Sequence, residues 1–280
     1  MSWSHLYPLD LSELATVREQ LHQAVQSVAA VGRHFLSASK EDENAVLQWI
    51  PNPKRLAGKW IDTPKGKFRA SISFSEGRIF LIDEQIKVID SFEIHDNTFN
   101  QLMVWFEEHI GKLGLPVENF HLNLPYELPT YATQKKHAFD LSNMALCDAF
   151  AHYYANSRVI LEKLKGTFAG AGETTVWPHH FDQAISVMLK DSGNPETSSY
   201  LGLGMSPGDD YYDQPYFYVN SWPHAEEEEL SPLKFGKWHT DDWIGAVFTA
   251  EEVWDVANQP EAVTSFYKEV SKHLENLLLK

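Results

Sequence analysis

Between Leu11 and Leu36 the apolar residues Leu14, Val17, Leu21, Val25, Val28 and Val31 recur at spacings of three and four, behind the capping candidate Ser12. That period predicts one long amphipathic helix. From Phe68 the period changes to two. Phe68, Ala70, Ile72 and Phe74 alternate with Lys67, Arg69, Ser71 and Ser73, a turn follows at Glu76-Gly77, and Ile79 to Ile82 returns. A half-buried hairpin is expected there. Asp96 then stands as the cap of a second helix whose apolar face is Phe99, Leu102, Met103, Phe106 and Ile110, ended by Gly111 and Gly114.

A loop rich in proline and tyrosine, from Pro125 to Thr133, precedes another helical pattern from about Phe139 to Leu164. Its apolar positions, among them Leu141, Cys147, Phe150, Tyr154 and Ile160, spread widely enough to predict contact on more than one side. Past the glycines Gly166, Gly170 and Gly172, strands are expected at 174–178, 180–189, 199–206, 215–221, 235–241 and 243–248, then helical segments at 249–257 and 260–279. Helix, strands, helix thus occurs twice, which predicts an α+β fold of antiparallel sheets flanked by helices. The halves are 1–134 and 135–280, either two similar units or one compact body, with the candidate site in the second. No residue-level repeat accompanies the order.

Charge changes this picture. Lys and Arg number 23 against 39 Asp and Glu, a formal net charge of −16. Residues 1–140 carry 14 basic and 18 acidic side chains and residues 141–280 carry 9 and 21, so most of the acidity is C-terminal. No basic run exceeds a pair such as Lys135-Lys136, which argues against nucleic acid as a partner. The single cysteine, Cys147, cannot close an intrachain disulfide and reads as a small buried hydrophobe. No spanning helix or signal-peptide pattern is seen, so the expectation is a cytoplasmic protein away from membranes.

Candidate chemistry lies in the C-terminal strands. Alternation puts Phe181, Ile185, Val187 and Leu189 on one face, with His180 and Asp182 on the other. Leu201, Leu203 and Met205 then oppose Tyr200, Gly202, Gly204 and Ser206, and Phe217 and Val219 oppose Tyr216, Tyr218 and Asn220. A face floored by glycine and walled by tyrosine, histidine and aspartate has the composition of a ligand pocket, for which His180, Asp182, Tyr200, Ser206, Asp209, Tyr216, Tyr218 and Trp238 are the candidate binding residues. The competing reading is that Gly202 and Gly204 make room for a neighbouring backbone or tryptophan. Two strand pairs, His180 with Asp182 and His239 with Asp241, supply the N and O donors of a divalent metal site, although no HExxH, paired CxxC or EF-hand loop is present. No GxSxG frame, dinucleotide fingerprint or Walker loop occurs.

The blocks Trp177 to Ala184 (WPHHFDQA), Leu201 to Val219 (LGLGMSPGDDYYDQPYFYV) and Trp238 to Phe248 (WHTDDWIGAVF) resemble the signature segments of a mostly bacterial family of conserved proteins grouped as a domain of unknown function. The resemblance implies the element order and the choice of segments; it implies no activity. Two functions are therefore weighed: binding of a small polar or cationic ligand stacked on Tyr216, Tyr218 and a neighbouring tryptophan, or metal-dependent hydrolysis through the His/Asp pairs. Whether the chain is an enzyme, and its oligomeric state, are left open by the sequence.

Overall fold

The computed structural model describes residues 2–39, 42–131, 133 and 137–280, and the Lys135-Lys136 pair lies outside them. The fold is α+β, with two antiparallel sheets and five α-helices among the described residues. The chain forms two compact units that interlace in sequence. One comprises 12–151 and 176–181; the other comprises 1–11, 152–175 and 182–280. No helix is long and apolar enough to cross a membrane among the described residues.

The first unit contains α1 (Leu11–Phe35) and the strands β1 (Gln48–Ile50), β2 (Arg55–Ala57), β3 (Ile61–Thr63), β4 (Gly66–Ser73), β5 (Arg78–Asp83) and β6 (Val88–Glu93). The sheet runs β1-β2-β4-β5-β6, with β3 also paired to β4. Leu56, Phe68, Ile72, Ile79 and Leu81 share one buried face. The opposite face is not the solvated one that alternation predicts: Arg69, Ser71 and Ser73 are buried as well. The physical reason is aromatic cover, since the Arg69 guanidinium lies over Trp60 and that of Arg55 over Phe80.

Two helix starts differ from the sequence reading. Helix α2 (Phe99–Lys112) is capped by Thr98 in place of Asp96: the Thr98 hydroxyl accepts from Gln101 N, and the Gln101 carboxamide accepts from Thr98 N. That reciprocal box satisfies two free N–H groups at once, whereas Asp96 has a positive φ and is held in a turn. Helix α3 (Met144–Lys165) begins five residues later than the pattern from Phe139 suggests. Phe139 instead bridges to His95 and its N–H donates to Asn97 O, while Asp140 turns the chain by accepting from Ser142 N and Oγ.

A chain of hydrogen bonds ties α1 to the turn at 177–180. His22 Nε2–H and Gln26 Nε2 both donate to Pro178 O, at 2.8 and 2.7 Å. Because Pro178 O can only accept, His22 carries its proton on Nε2, and Nδ1 accepts from Tyr131 Oη at 2.8 Å. Gln26 Oε1 in turn accepts from Tyr126 Oη, which accepts from Arg33, and Arg33 pairs with Asp42. The His22 ring stacks on Phe181 at 5.1 Å, and Phe181 meets Phe74 edge-on.

The second unit holds β8 (Gln183–Lys190), β9 (Ser199–Ser206), β10 (Tyr216–Trp222), β11 (Lys237–His239), β12 (Gly245–Thr249), α4 (Ala250–Trp254) and α5 (Gln259–Leu278). Its sheet order is β11-β12-β10-β9-β8, with β7 (Thr175–Val176) at the β8 edge. Register fixes one apolar face: Ile185 and Val187, Leu201, Leu203 and Met205, Phe217 and Val219, Ala246 and Phe248. Helix α5 covers it, with Phe266 against Phe248 and Tyr267 against Phe217. The chain's first residues also belong to this unit, because Gln259 exchanges two hydrogen bonds with the Leu6 backbone and takes a third from Trp3.

Burial, followed by the charges of Arg18, His180 and His179, lowers the His22 pKa from 6.5 to about 4. The unfolded chain therefore takes up this proton first as pH falls. The stability that neutral His22 confers is whole above pH 6.5 and is lost between 6.5 and about 4, by up to about 3 kcal/mol. His22→Gln should reduce that slope in urea denaturation between pH 4 and 7. The slope should not vanish, because His179 is also held near 4 by burial. An unchanged slope would clear His22 of the effect.

Candidate functional site

The second face of the C-terminal sheet carries Tyr216, Tyr218, Asn220, Ser206, Lys237 and His239, with glycine at 202, 204 and 245. The glycines do not leave an open floor. A Cβ on Gly204 would lie 2.5 Å from the Tyr218 ring, one on Gly202 2.3 Å from the Asn220 amide, and one on Gly245 2.5 Å from Trp243. Each glycine is the seat of a neighbouring side chain, so this face is a packed aromatic layer. The alternative sequence reading gives Gly202 and Gly204 to a neighbouring backbone or tryptophan, whereas the neighbours seated there are the Asn220 amide and the Tyr218 ring.

The hydroxyls of the layer are anchored on carboxylates. Tyr218 donates to Asp182 Oδ2 at 2.5 Å, and Tyr216 to Asp209 Oδ2 at 2.5 Å. Asp209 is fixed in its loop by accepting from the backbone N–H groups of Tyr211 and Tyr212 through Oδ1. Burial, then the adjoining carboxylate, raises the pKa of Tyr216 and Tyr218 well above the ordinary phenol range. Both remain protonated donors at neutral pH, and neither acts as a base.

At the loop end, Tyr212 Oη lies 3.1 Å from His239 Nδ1, and His239 Nε2–H donates to Asp241 O at 2.6 Å. His239 lies against Trp243 at 4.3 Å with the rings tilted by 30°, and meets Tyr211 edge-on at 4.9 Å. Tyr211, 44% exposed, donates to Asp242, and that bond is the first cause of a phenol pKa raised to about 12. The Lys237 ammonium lies over the Tyr212 ring, 5.2 Å from its centroid.

Of the residues singled out from the sequence, Asp182, Ser206, Asp209, Tyr216, Tyr218 and His239 share this face or its loop rim. Others do not. The strand begins at Gln183, so alternation does not extend to His180, which is exposed in a turn closed by Phe181 N donating to Trp177 O. Phe181 has a positive φ of 59°, which ends the extended backbone that alternation requires. Trp238 pairs with Ala246 and so lies on the helix-facing side, where its ring meets His273 of α5. Tyr200 is on the correct face, but six residues from Ser206, about 20 Å along the strand, and its hydroxyl donates to Pro195 O.

The four residues read as metal ligands do not form a coordinating set. Both ring nitrogens of His239 are engaged, Asp241 meets His239 through its backbone carbonyl, and Asp182 accepts from Tyr218. Among the described residues no three His, Cys, Asp or Glu side chains are gathered to hold a metal ion. Tyr211, Tyr212, Asp242 and Trp243 are site residues that strand alternation missed. They sit in loops, where side-chain direction follows turn geometry; the sequence signal was the clustering of aromatic and acidic residues in Asp209 to Asp213 and Trp238 to Trp243.

Comparison with protein-family models, curated proteins and solved structures finds no match for this chain in any of the three.

Gly204→Ala should cost about 1–3 kcal/mol in chemical denaturation, because the added methyl meets the Tyr218 ring. His239→Ala should cost a similar about 1–3 kcal/mol, by leaving the Tyr212 hydroxyl and the Asp241 carbonyl without their partner. Neutral effects for both would mean that the layer repacks freely.

Proposed function

We propose that the C-terminal unit binds a small organic cation, an alkylammonium or guanidinium group, at the loop rim of the aromatic layer. The observation that carries this reading is the resident cation. Lys237 holds its ammonium over Tyr212, where aromatic faces and carboxylates converge. A cation placed over an aromatic ring gains about 0.5–1 kcal/mol at exposed sites and more as water is excluded. Tyr211, Tyr212, His239 and Trp243 supply the rings; Asp209, Asp241 and Asp242 set negative charge beside them.

The protonation states support the same reading. Tyr211 holds its proton and stays hydrogen-bonded to Asp242, which adds electron density to one of the rings that a cation would face. The C-terminal half, with 9 basic and 21 acidic residues, also attracts cations over distance. No recognised catalytic spacing accompanies the cluster, and binding is the simpler function for it.

Titration calorimetry with tetramethylammonium and 1,4-diaminobutane tests the reading. A saturable isotherm is expected for at least one of them, weakened roughly two- to fivefold by Tyr211→Ala, a residue exposed enough to be replaced without loss of fold. Asp242→Asn should weaken it further and reduce its dependence on salt. Absence of saturable heat with both cations would remove the proposal.

A further inference from the structure

The N-terminal sheet presents a different chemistry on the face away from Leu56, Ile72 and Ile79. Ser71 on β4 stands opposite Ala57 on β2 and Phe80 on β5. Arg55 is two residues from Ala57 and Arg69 two from Ser71, so all five side chains emerge on this one face. Arg55, Arg69 and Ser71 are 7%, 8% and 0% exposed. Three of their donors, Arg55 Nε, Arg69 Nε and Ser71 Oγ, are buried and have no hydrogen-bond partner among the described residues.

Buried donors without acceptors are unusual, and a buried guanidinium without a carboxylate is more so. Arg55 has one distant carboxylate, Glu76, at 3.5 Å; further along the same face Arg78 is paired with Glu93. Arg69 makes no ion pair among the described residues, and burial lowers its pKa with no carboxylate to raise it. Both guanidinium carbons instead lie over rings, Arg55 3.5 Å from the Phe80 centroid and Arg69 4.3 Å from that of Trp60. Stacking uses the face of a guanidinium and leaves its in-plane N–H edge for a planar or tetrahedral acceptor.

We propose that Arg55, Arg69 and Ser71 form a binding site for a small oxyanion, a carboxylate or phosphoryl group carried by a ligand separate from the cation of the C-terminal unit. The arginines supply charge-assisted N–H donors and Ser71 the neutral donor between them. The ligand carries one or two charges and is not a polyanion, because the chain's net charge of −16 repels a phosphate polymer. Trp60 and Phe80 fix the direction of the guanidinium groups and shed water from their faces.

The test is calorimetry of the full chain with inorganic phosphate and, separately, with acetate, at millimolar concentration and constant ionic strength. Saturable one-to-one binding of either is expected, and which of the two binds identifies the headgroup. Arg69→Met, which keeps an apolar stem on Trp60, should weaken it about ten- to a hundredfold, the usual range for one charge-assisted contact. Ser71→Ala and Arg55→Lys provide the same contrast should the methionine variant fail to fold. Arg69→Met should also melt at or above the wild-type temperature in anion-free buffer, since it removes an unpaired buried charge. No saturable heat with either anion, or equal binding by wild type and all three variants, would overturn the site.

Discussion

A sheet that covers part of its second face cannot leave the polar side chains there to water, and each unit of this chain contains such a sheet. In the C-terminal unit the problem is met by phenol-to-carboxylate hydrogen bonds, Tyr218 to Asp182 and Tyr216 to Asp209. Glycines at 202, 204 and 245 let the rings lie down on the strands. In the N-terminal unit the Arg55 and Arg69 guanidinium groups lie over aromatic rings, with only part of their hydrogen-bonding capacity used. Both solutions hold a polar group at an apolar surface.

The two proposed sites would take ligands of opposite charge. Tyrosines that donate to aspartates present electron-rich rings beside anionic oxygens, a setting that favours cations and disfavours any nucleophilic role for the phenols. Arginines whose faces are occupied by Trp60 and Phe80 present N–H edges that favour oxyanions. His22 follows a third course: it is buried neutral with both nitrogens engaged, and it joins α1 to the 177–180 turn as a structural residue. His239 is likewise bonded at both ring nitrogens.

Legibility from sequence followed the regularity of the backbone. Where β9 and β10 pair without a break, alternation placed Leu201, Leu203, Phe217 and Val219 on one side and Tyr216 and Tyr218 on the other. It failed at His180, because Phe181 adopts a positive φ and the strand starts two residues later. It also failed to exclude Trp238, although the parity that groups Lys237 with His239 already assigns Trp238 to the opposite side. Loop residues such as Tyr212 and Trp243 were beyond its reach, since no period governs them. The burial of Arg69 and Ser71 was hidden for another reason: a strand of alternating apolar and polar residues reads as half solvated unless Trp60, eight or more positions away, is known to fold back over it.

The seating of Tyr218 on Gly204 has a consequence for how this sequence can vary. The two residues face each other across β9 and β10, and the ring occupies the volume that any larger side chain at 204 would need. A bulkier residue at 204 therefore fits best with a smaller one at 218, and losing the phenol takes one hydrogen-bond donor from Asp182. The three positions form one heritable block: in any lineage carrying this sheet they should change together or not at all.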